Sequence, residues 1–187
     1  LLSGYVLWPD LRAAFFRANL ANADHAAVEA FLGQHSALRP ARDLRYRYAL
    51  HLAEEGHLTA YQELYETFYQ GMAIAELDCL ALGADIAAGK GDEIRQRALA
   101  LWLTPRSQHE ACDPVFSHLR DSGALTRDIY VQRFDLAIEA REFARARWLA
   151  RSIDAAHVET ARRWLEAAGN PGDFIDRAAD LPVDDTS

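Results

Sequence analysis

The stretch PARDLRYRYALHLAEEG, residues 40–56, decides the fold class of this chain. Leu44, Tyr48 and Leu52 recur in it at intervals of four residues, which is the spacing of one buried stripe on an α-helix. The stretch opens with a proline, which a first helical turn tolerates, and it closes with a glycine, which is typical of a helix stop. These signals predict one amphipathic helix that buries a single face.

The same helical pattern continues through the rest of the chain, where β-branched residues are sparse and do not alternate with polar ones. Further helices are predicted over 58–69, 72–88, after the cap Asp92 to before Pro105, from Asp113 to near Gly123, after the cap Thr126, and over 143–152, 155–168 and 171–179. Stop signals at Gly56, Gly91 and Gly123 are spaced like helical-hairpin repeats, and the connections are short. The predicted fold is all-α, an α-solenoid or superhelix of stacked antiparallel helical hairpins.

Length and charge limit the organisation and the classes of function. The chain has 187 residues, which suits one domain over residues 1–180, and we expect a frayed tail over 181–187. A formal net charge of −8 is the wrong sign for a protein that coats nucleic acid, so we expect no nucleic-acid partner. Since no apolar run approaches the ~20 residues of a membrane helix, we expect no membrane span.

Catalytic, cofactor and metal signals are weak throughout, so we predict none of these sites. His109-Glu110 begins like a metalloprotease box, but the second histidine of that box is absent. His51 and Glu55 share a helix face and are interpreted as a solvent-facing pair. The remaining carboxylate pairs, such as Glu54-Glu55 and Asp184-Asp185, belong to polar surfaces that would not raise the pKa of a general acid.

The densest basic patch lies within the deciding stretch and is interleaved with tyrosines. It consists of Arg39, Arg42, Arg45 and Arg47. Arginine beside aromatic rings suits phosphate, carboxylate and sugar surfaces, so this patch is our candidate contact for an anionic polymer or a glycan. The alternative is that Tyr48 packs inward while the arginines pair with carboxylates on neighbouring turns, namely Glu54, Glu63 or Glu66. The acidic net charge favours the alternative.

The two cysteines, Cys79 and Cys112, fit no zinc or CxxC spacing. In a reducing compartment they would be buried small hydrophobes, and in an oxidising one they would form a disulfide. Composition alone leaves both possibilities open.

Residues 101–116 read LWLTPRSQHEACDPVF, and this segment resembles a stretch of the soluble lytic murein transglycosylases. In the superhelical, U-shaped domain of that family, a Leu-Trp-Leu-Thr run leads through Ser-Gln to Ala-Cys-Asp and an aromatic residue. Three flanking pieces agree with the family in the same order: Tyr5 to Phe15, Ala37 to Leu52, and Gly123 to Ile138. The resemblance therefore covers essentially the whole chain.

The resemblance implies a periplasmic protein that acts on peptidoglycan. The family cleaves the β-1,4 bond between N-acetylmuramic acid and N-acetylglucosamine as a lyase and leaves a 1,6-anhydro product. Its catalytic glutamate lies in a C-terminal lysozyme-like domain, which is marked by Glu-Ser, Gly-Leu-Met-Gln and Ala-Tyr-Asn-Ala-Gly stretches. None of these stretches occurs in this sequence. We therefore expect a fragment of a longer protein, with no enzymatic activity of its own, whose partners are peptidoglycan and the catalytic domain of the same parent protein.

Two functional hypotheses follow from these expectations. The preferred one is a non-catalytic scaffold segment of a lytic transglycosylase that acts in cell-wall turnover. The alternative is a free-standing helical-repeat adaptor that binds a protein partner.

The resemblance also bears on the cysteines. The family has two cysteines at matching positions, and the periplasm is oxidising, so the resemblance implies a disulfide between Cys79 and Cys112.

Overall fold

The structure, a computed structural model, describes residues 4–179, with side chains described as far as Asp176. Over that range it contains eleven α-helices and no strand, and the predicted all-α class of stacked helical hairpins is confirmed. The helices are α1 (Trp8–Ala18), α2 (His25–Gln34), α3 (Arg39–Glu54), α4 (Leu58–Phe68), α5 (Ala75–Ala87), α6 (Arg95–Trp102), α7 (Asp113–Asp121), α8 (Arg127–Glu139), α9 (Phe143–Ala150), α10 (Ala155–Gly169) and α11 (Pro171–Ala179). The expected frayed tail, residues 181–187, lies outside the described residues.

The chain divides into two compact units, residues 1–88 and residues 89–187. In the first unit, α3 packs against α1, α2, α4 and α5. In the second unit, α6 packs on α7, α8 on α9, α9 on α10, and α10 on α11, and in each of these pairs the helices are neighbours in sequence. That packing is typical of helical-repeat proteins. The expectation of one domain over residues 1–180 stays a prediction.

The core of the first unit forms around the stripe that the sequence predicts. Leu44, Tyr48 and Leu52 of α3 are fully buried, as are Tyr61 and Tyr65 of α4. Each buried side chain of this size stabilises the fold by about 1.5–3 kcal/mol relative to its exposed state. The stripe therefore fixes which face of α3 points inward.

Tyrosine hydroxyls connect the helices of this core. Tyr61 Oη donates to the carbonyl oxygen of Leu77 at 2.7 Å, and Tyr65 Oη donates to Asp78 Oδ1 at 2.6 Å. Both bonds join α4 to α5. Burial raises the pKa of Tyr61 and of Tyr48 above the ordinary tyrosine range.

Two helix starts differ from the prediction. Helix α5 begins at Ala75, not at residue 72, because Gly71 and Ala73 adopt positive φ values of 80° and 55° that a right-handed helix excludes. Asp92 does not cap α6. The helix begins at Arg95, and the Asp92 carboxylate instead accepts a hydrogen bond from Arg95 Nη2 at 3.0 Å. Thr126 does cap α8, as predicted, because its Oγ1 accepts from the Ile129 N–H.

Both cysteines are fully buried and disulfide-bonded. Since the chain contains two cysteines, the bond joins Cys79 to Cys112, as the resemblance implied.

We expect the first unit to lose stability as pH rises above about 10, the ordinary tyrosine pKa. The folded state holds the Tyr48 and Tyr61 protons more tightly than the unfolded state, since both pKa values are raised. Their contribution is fully present below the unfolded pKa and is lost as pH rises through the folded one. Far-ultraviolet circular dichroism and tyrosinate absorbance should therefore change together. Tyrosinate absorbance that rises fully near pH 10 while the helices persist would contradict this expectation.

Tyr61→Phe is the matched variant for that titration. It removes the bond to the Leu77 carbonyl, so we expect a loss of about 1 kcal/mol at neutral pH. It should also flatten the alkaline dependence of the free energy of unfolding, because one buried titrating group is gone.

We expect thiol titration of the denatured, unreduced protein to find no free thiol, and two free thiols would contradict the disulfide. Reduction should lower the free energy of unfolding by about 3–4 kcal/mol, because the bond closes a loop of intermediate length in the unfolded chain. The double variant Cys79→Ser, Cys112→Ser should match the reduced protein.

Denaturant unfolding of the oxidised protein tests the single-domain prediction. One unfolding transition would support it, and two separate transitions would contradict it.

Candidate functional site

A cleft of about 520 Å³ opens on the first unit, and arginine dominates its charged lining. We call it the basic cleft. Its lining comprises Arg17, Arg42, Asp43, Arg45, Tyr46, Arg47, Phe68, Tyr69 and Met72. It contains four arginines and one carboxylate, although the chain as a whole is acidic.

Two helices supply the exposed cations of the basic cleft. Arg42 and Arg47 come from α3, and both are exposed because the stripe of Leu44 and Tyr48 occupies the inner face of that helix. Arg17 comes from the last turn of α1, which packs on α3. Among the described residues, none of these three arginines forms an ion pair with a carboxylate.

Arg45 forms part of the cleft wall and is only 7% exposed. Its guanidinium carbon lies 3.7 Å from the centroid of the Phe68 ring, and its Nη2 donates to the Ser36 carbonyl oxygen at 3.0 Å. Burial lowers the pKa of Arg45, and the nearby positive charge of Arg42 lowers it further. Within the described structure its partners are thus a ring and a neutral carbonyl, which leaves this buried cation without a matching carboxylate.

The aromatic residues of the basic cleft are fixed by contacts with other helices. Tyr46 Oη donates a hydrogen bond to Glu76 on α5, and this bond is the largest cause that raises the pKa of Tyr46 to about 12. Tyr69 is buried, whereas Phe68 remains 38% exposed. The rings therefore form the floor and wall of the cleft.

The predicted arginine patch divides between three environments. Arg42 and Arg47 line the cleft, Arg45 is buried in its wall, and Arg39 lies outside it. The Arg39 side chain is 86% exposed, and its Nε is 3.9 Å from Asp43 Oδ2. The binding role of the four-arginine patch stays a prediction.

The alternative interpretation is that Tyr48 packs inward while the arginines pair with nearby carboxylates. Its first part is confirmed, since Tyr48 is buried. In the part of the chain that the structure describes, no ion pair joins the patch to Glu54, Glu63 or Glu66.

Sequence reasoning missed Arg17, the third exposed cation of the basic cleft. It also lines a second cleft of about 580 Å³ on the same unit, together with Arg47, His51 and Glu54. Only the packing of α1 on α3 brings Arg17 beside Arg47, and no local pattern in the sequence encodes that packing.

The histidine candidates have structural roles. His51 is half-buried and its ring stacks on that of His25, with centroids 6.1 Å apart. His109 Nδ1 accepts from the Ala111 N–H at 3.2 Å and thereby caps a short 3₁₀ turn. Within residues 4–179, no group of three or more histidine, cysteine or acidic side chains could hold a metal ion.

The segment that carries the family resemblance is organised by Arg133, which is 2% exposed. Its Nε donates to the Thr104 carbonyl oxygen and its Nη2 to the Arg106 carbonyl oxygen, both at 3.0 Å. The guanidinium carbon lies 4.1 Å from the Trp102 ring centroid. Burial, followed by the charge of Arg145, lowers the pKa of Arg133 to about 10. The segment therefore forms a structural turn that Arg133 holds from α8.

Two comparisons place the chain among known proteins, while a comparison with protein-family models finds no match. The chain is 30% identical over 174 residues to the soluble lytic murein transglycosylase of Escherichia coli and 29% identical to that of Salmonella typhimurium. The alignments span 93% of this chain and 26% of each relative. The similarity predicted from residues 101–116 and their flanking pieces is confirmed.

Solved structures give the same result. The lytic transglycosylase Slt of Pseudomonas aeruginosa, solved as an inactive mutant, matches with a TM-score of 0.77 at 28% identity over 95% of this chain and 28% of its own. The 70-kDa soluble lytic transglycosylase of Escherichia coli matches with a TM-score of 0.73 at 29% identity over 98% of this chain and 29% of its own. The chain therefore spans between a quarter and a third of the proteins that it resembles. Among the described helices, none has the length and apolar character that a membrane crossing requires.

We expect Arg133→Met to lower the free energy of unfolding by about 2–4 kcal/mol, because it leaves two backbone carbonyls without their donor. Arg133→Lys keeps the charge but cannot donate to both carbonyls with the geometry of a guanidinium. It should therefore lower the free energy of unfolding by less than Arg133→Met does. Denaturant unfolding measures both.

The control for these variants is Arg147→Met, an exposed arginine on α9 that should change stability by no more than about 0.5 kcal/mol. An Arg133→Met protein as stable as this control would refute the structural role of Arg133.

Proposed function

We propose that this chain is a non-catalytic scaffold segment of a periplasmic soluble lytic murein transglycosylase, a lyase that cleaves peptidoglycan during cell-wall turnover. The observation that carries the proposal is the extent of the match. Sequence similarity spans 93% of this chain but only 26% of the Escherichia coli relative, and the structural match is equally partial. A segment of that kind supplies one part of a larger enzyme.

The residues support a role other than catalysis. The Glu-Ser, Gly-Leu-Met-Gln and Ala-Tyr-Asn-Ala-Gly stretches expected of the catalytic domain do not occur in the sequence. Gln108 of the resembling segment and Arg133, which holds that segment, both donate to backbone carbonyls. The catalytic domain of the same parent protein would then perform the chemistry, while this segment holds peptidoglycan near it. The buried disulfide suits an oxidising periplasm.

The second candidate function is a free-standing helical-repeat adaptor that binds a protein partner. The observation that favours it is the exposure of large apolar side chains on the second unit, which are available for contact with a protein partner. They include Trp148, Trp164 and Ile175. Under the preferred proposal, the same side chains would meet other parts of the parent enzyme.

Incubation with purified murein sacculi tests the proposal. We expect the chain to sediment with the sacculi and to release no 1,6-anhydro muropeptides, as judged by mass spectrometry of the supernatant. The intact Escherichia coli relative serves as the positive control for release. Product formed by this chain would contradict the non-catalytic role, and failure to sediment would contradict the contact with peptidoglycan and favour the adaptor.

A further inference from the structure

We propose that the basic cleft binds the free carboxylates of the peptide side chains of peptidoglycan, and not its sugar rings. This inference rests on the proposed function, since it names the part of peptidoglycan that the chain would hold. It also moves the candidate contact from the four-arginine patch of the sequence to Arg17, Arg42 and Arg47.

The basic cleft carries more positive than negative charge, so it favours an anionic ligand. Three exposed guanidinium groups, those of Arg17, Arg42 and Arg47, face it without an ion-pair partner among the described residues. Arg45 adds a buried positive charge in the wall, where its partners are neutral. The lining carboxylate, Asp43, lies 3.9 Å from Arg39, so it is shared with a cation outside the cleft. A bound anion would therefore balance positive charges of the cleft that have no carboxylate partner in the described structure.

Guanidinium groups bind carboxylates well, because their planar N–H groups can bond both oxygens at once. Arg17 stands on α1 and the other two exposed arginines stand on α3, so the cations border the cleft from two helices. The volume of about 520 Å³ is in the range of sites that bind small ligands, about 300–1,000 Å³. A short peptide segment fits that volume.

The aromatic residues argue against sugar stacking in this cleft. A sugar ring stacks on the open face of an aromatic side chain, but Tyr69 is buried and the guanidinium of Arg45 covers one face of Phe68. Tyr46 is tied to Glu76 through its hydroxyl. Met72 is 60% exposed and offers a flexible apolar contact for the aliphatic parts of a peptide. The lining therefore suits a carboxylated peptide better than a glycan.

Three soluble ligands separate the parts of peptidoglycan in a calorimetric titration of the whole chain. They are the N-acetylglucosamine–N-acetylmuramic acid disaccharide with its tetrapeptide, the same disaccharide with a simple amide on its lactyl carboxyl in place of the peptide, and the peptide-bearing form with its peptide carboxyls amidated. We expect the first to bind and the other two to bind at least about tenfold more weakly, because each lacks the charge-assisted hydrogen bonds. Equal affinity for the peptide-free disaccharide amide would overturn the proposal.

Variants of the exposed arginines test the same site from the protein side. Arg42→Gln with Arg47→Gln should weaken binding of the disaccharide tetrapeptide by about tenfold or more, and Arg17→Gln should weaken it in the same direction. The control is Arg147→Gln, an exposed arginine on α9 that does not line the cleft, which should bind like the unmodified chain. Arg42→Lys should weaken binding less than Arg42→Gln does. Unchanged binding by the double variant would overturn the proposal.

Competition with inorganic phosphate distinguishes a carboxylate site from a general anion site. We expect phosphate at equal concentration to leave most of the disaccharide tetrapeptide bound, because it offers neither the paired carboxylates nor the aliphatic parts of the peptide. Displacement of the disaccharide tetrapeptide by phosphate at that concentration would overturn the carboxylate assignment.

Sedimentation with sacculi distinguishes failure of the cleft assignment from failure of the proposed function. We expect the unmodified chain to sediment and the Arg42→Gln, Arg47→Gln double variant to sediment less. If both sediment equally, the cleft assignment fails and the proposed function stands. If the unmodified chain does not sediment, the proposed function fails.

Discussion

Burial of one face of α3 is the interaction on which the first unit depends. Four other helices pack against this helix, and its buried stripe of Leu44, Tyr48 and Leu52 sets the rotation at which they meet it. The same rotation turns Arg42 and Arg47 outward. The basic cleft is thus a consequence of the core, because one helix supplies the stripe on one side and the cations on the other.

A buried arginine plays a similar part in each unit. Arg45 lies over Phe68 and donates to the Ser36 carbonyl, while Arg133 lies over Trp102 and donates to two carbonyls. In both cases a guanidinium satisfies backbone acceptors outside the regular helical bonds, and an aromatic face offsets part of the cost of removing the charge from water. The loops before α3 and after α6 are therefore held from inside the units.

Local signals in the sequence sufficed for most of the helices. The intervals in α3 and α4, the stop at Gly56 and the cap at Thr126 act within a few residues of one another, so the sequence predicts them directly. The prediction of Asp92 as a cap was wrong, because its carboxylate bonds the Arg95 side chain instead of a backbone N–H.

The basic cleft could be predicted only in part, because it depends on tertiary packing. The density of arginine around residue 42 indicated the region, but the burial of Arg45 depends on Phe68, and the place of Arg17 depends on how α1 lies on α3. Likewise, the residues within 101–116 do not indicate what holds the segment in place, which is a side chain on α8 that lies well outside the segment.

The disulfide also changes how the chain would respond to mechanical tension. A pulling force applied to the two ends of the polypeptide would pass through the sulfur–sulfur bond between Cys79 and Cys112, and the residues between them would carry none of it. Those residues include the last turns of α5, all of α6 and the resembling segment up to Cys112. Fully extended, they would add on the order of 100 Å of contour length. The oxidised chain therefore cannot release that length under load.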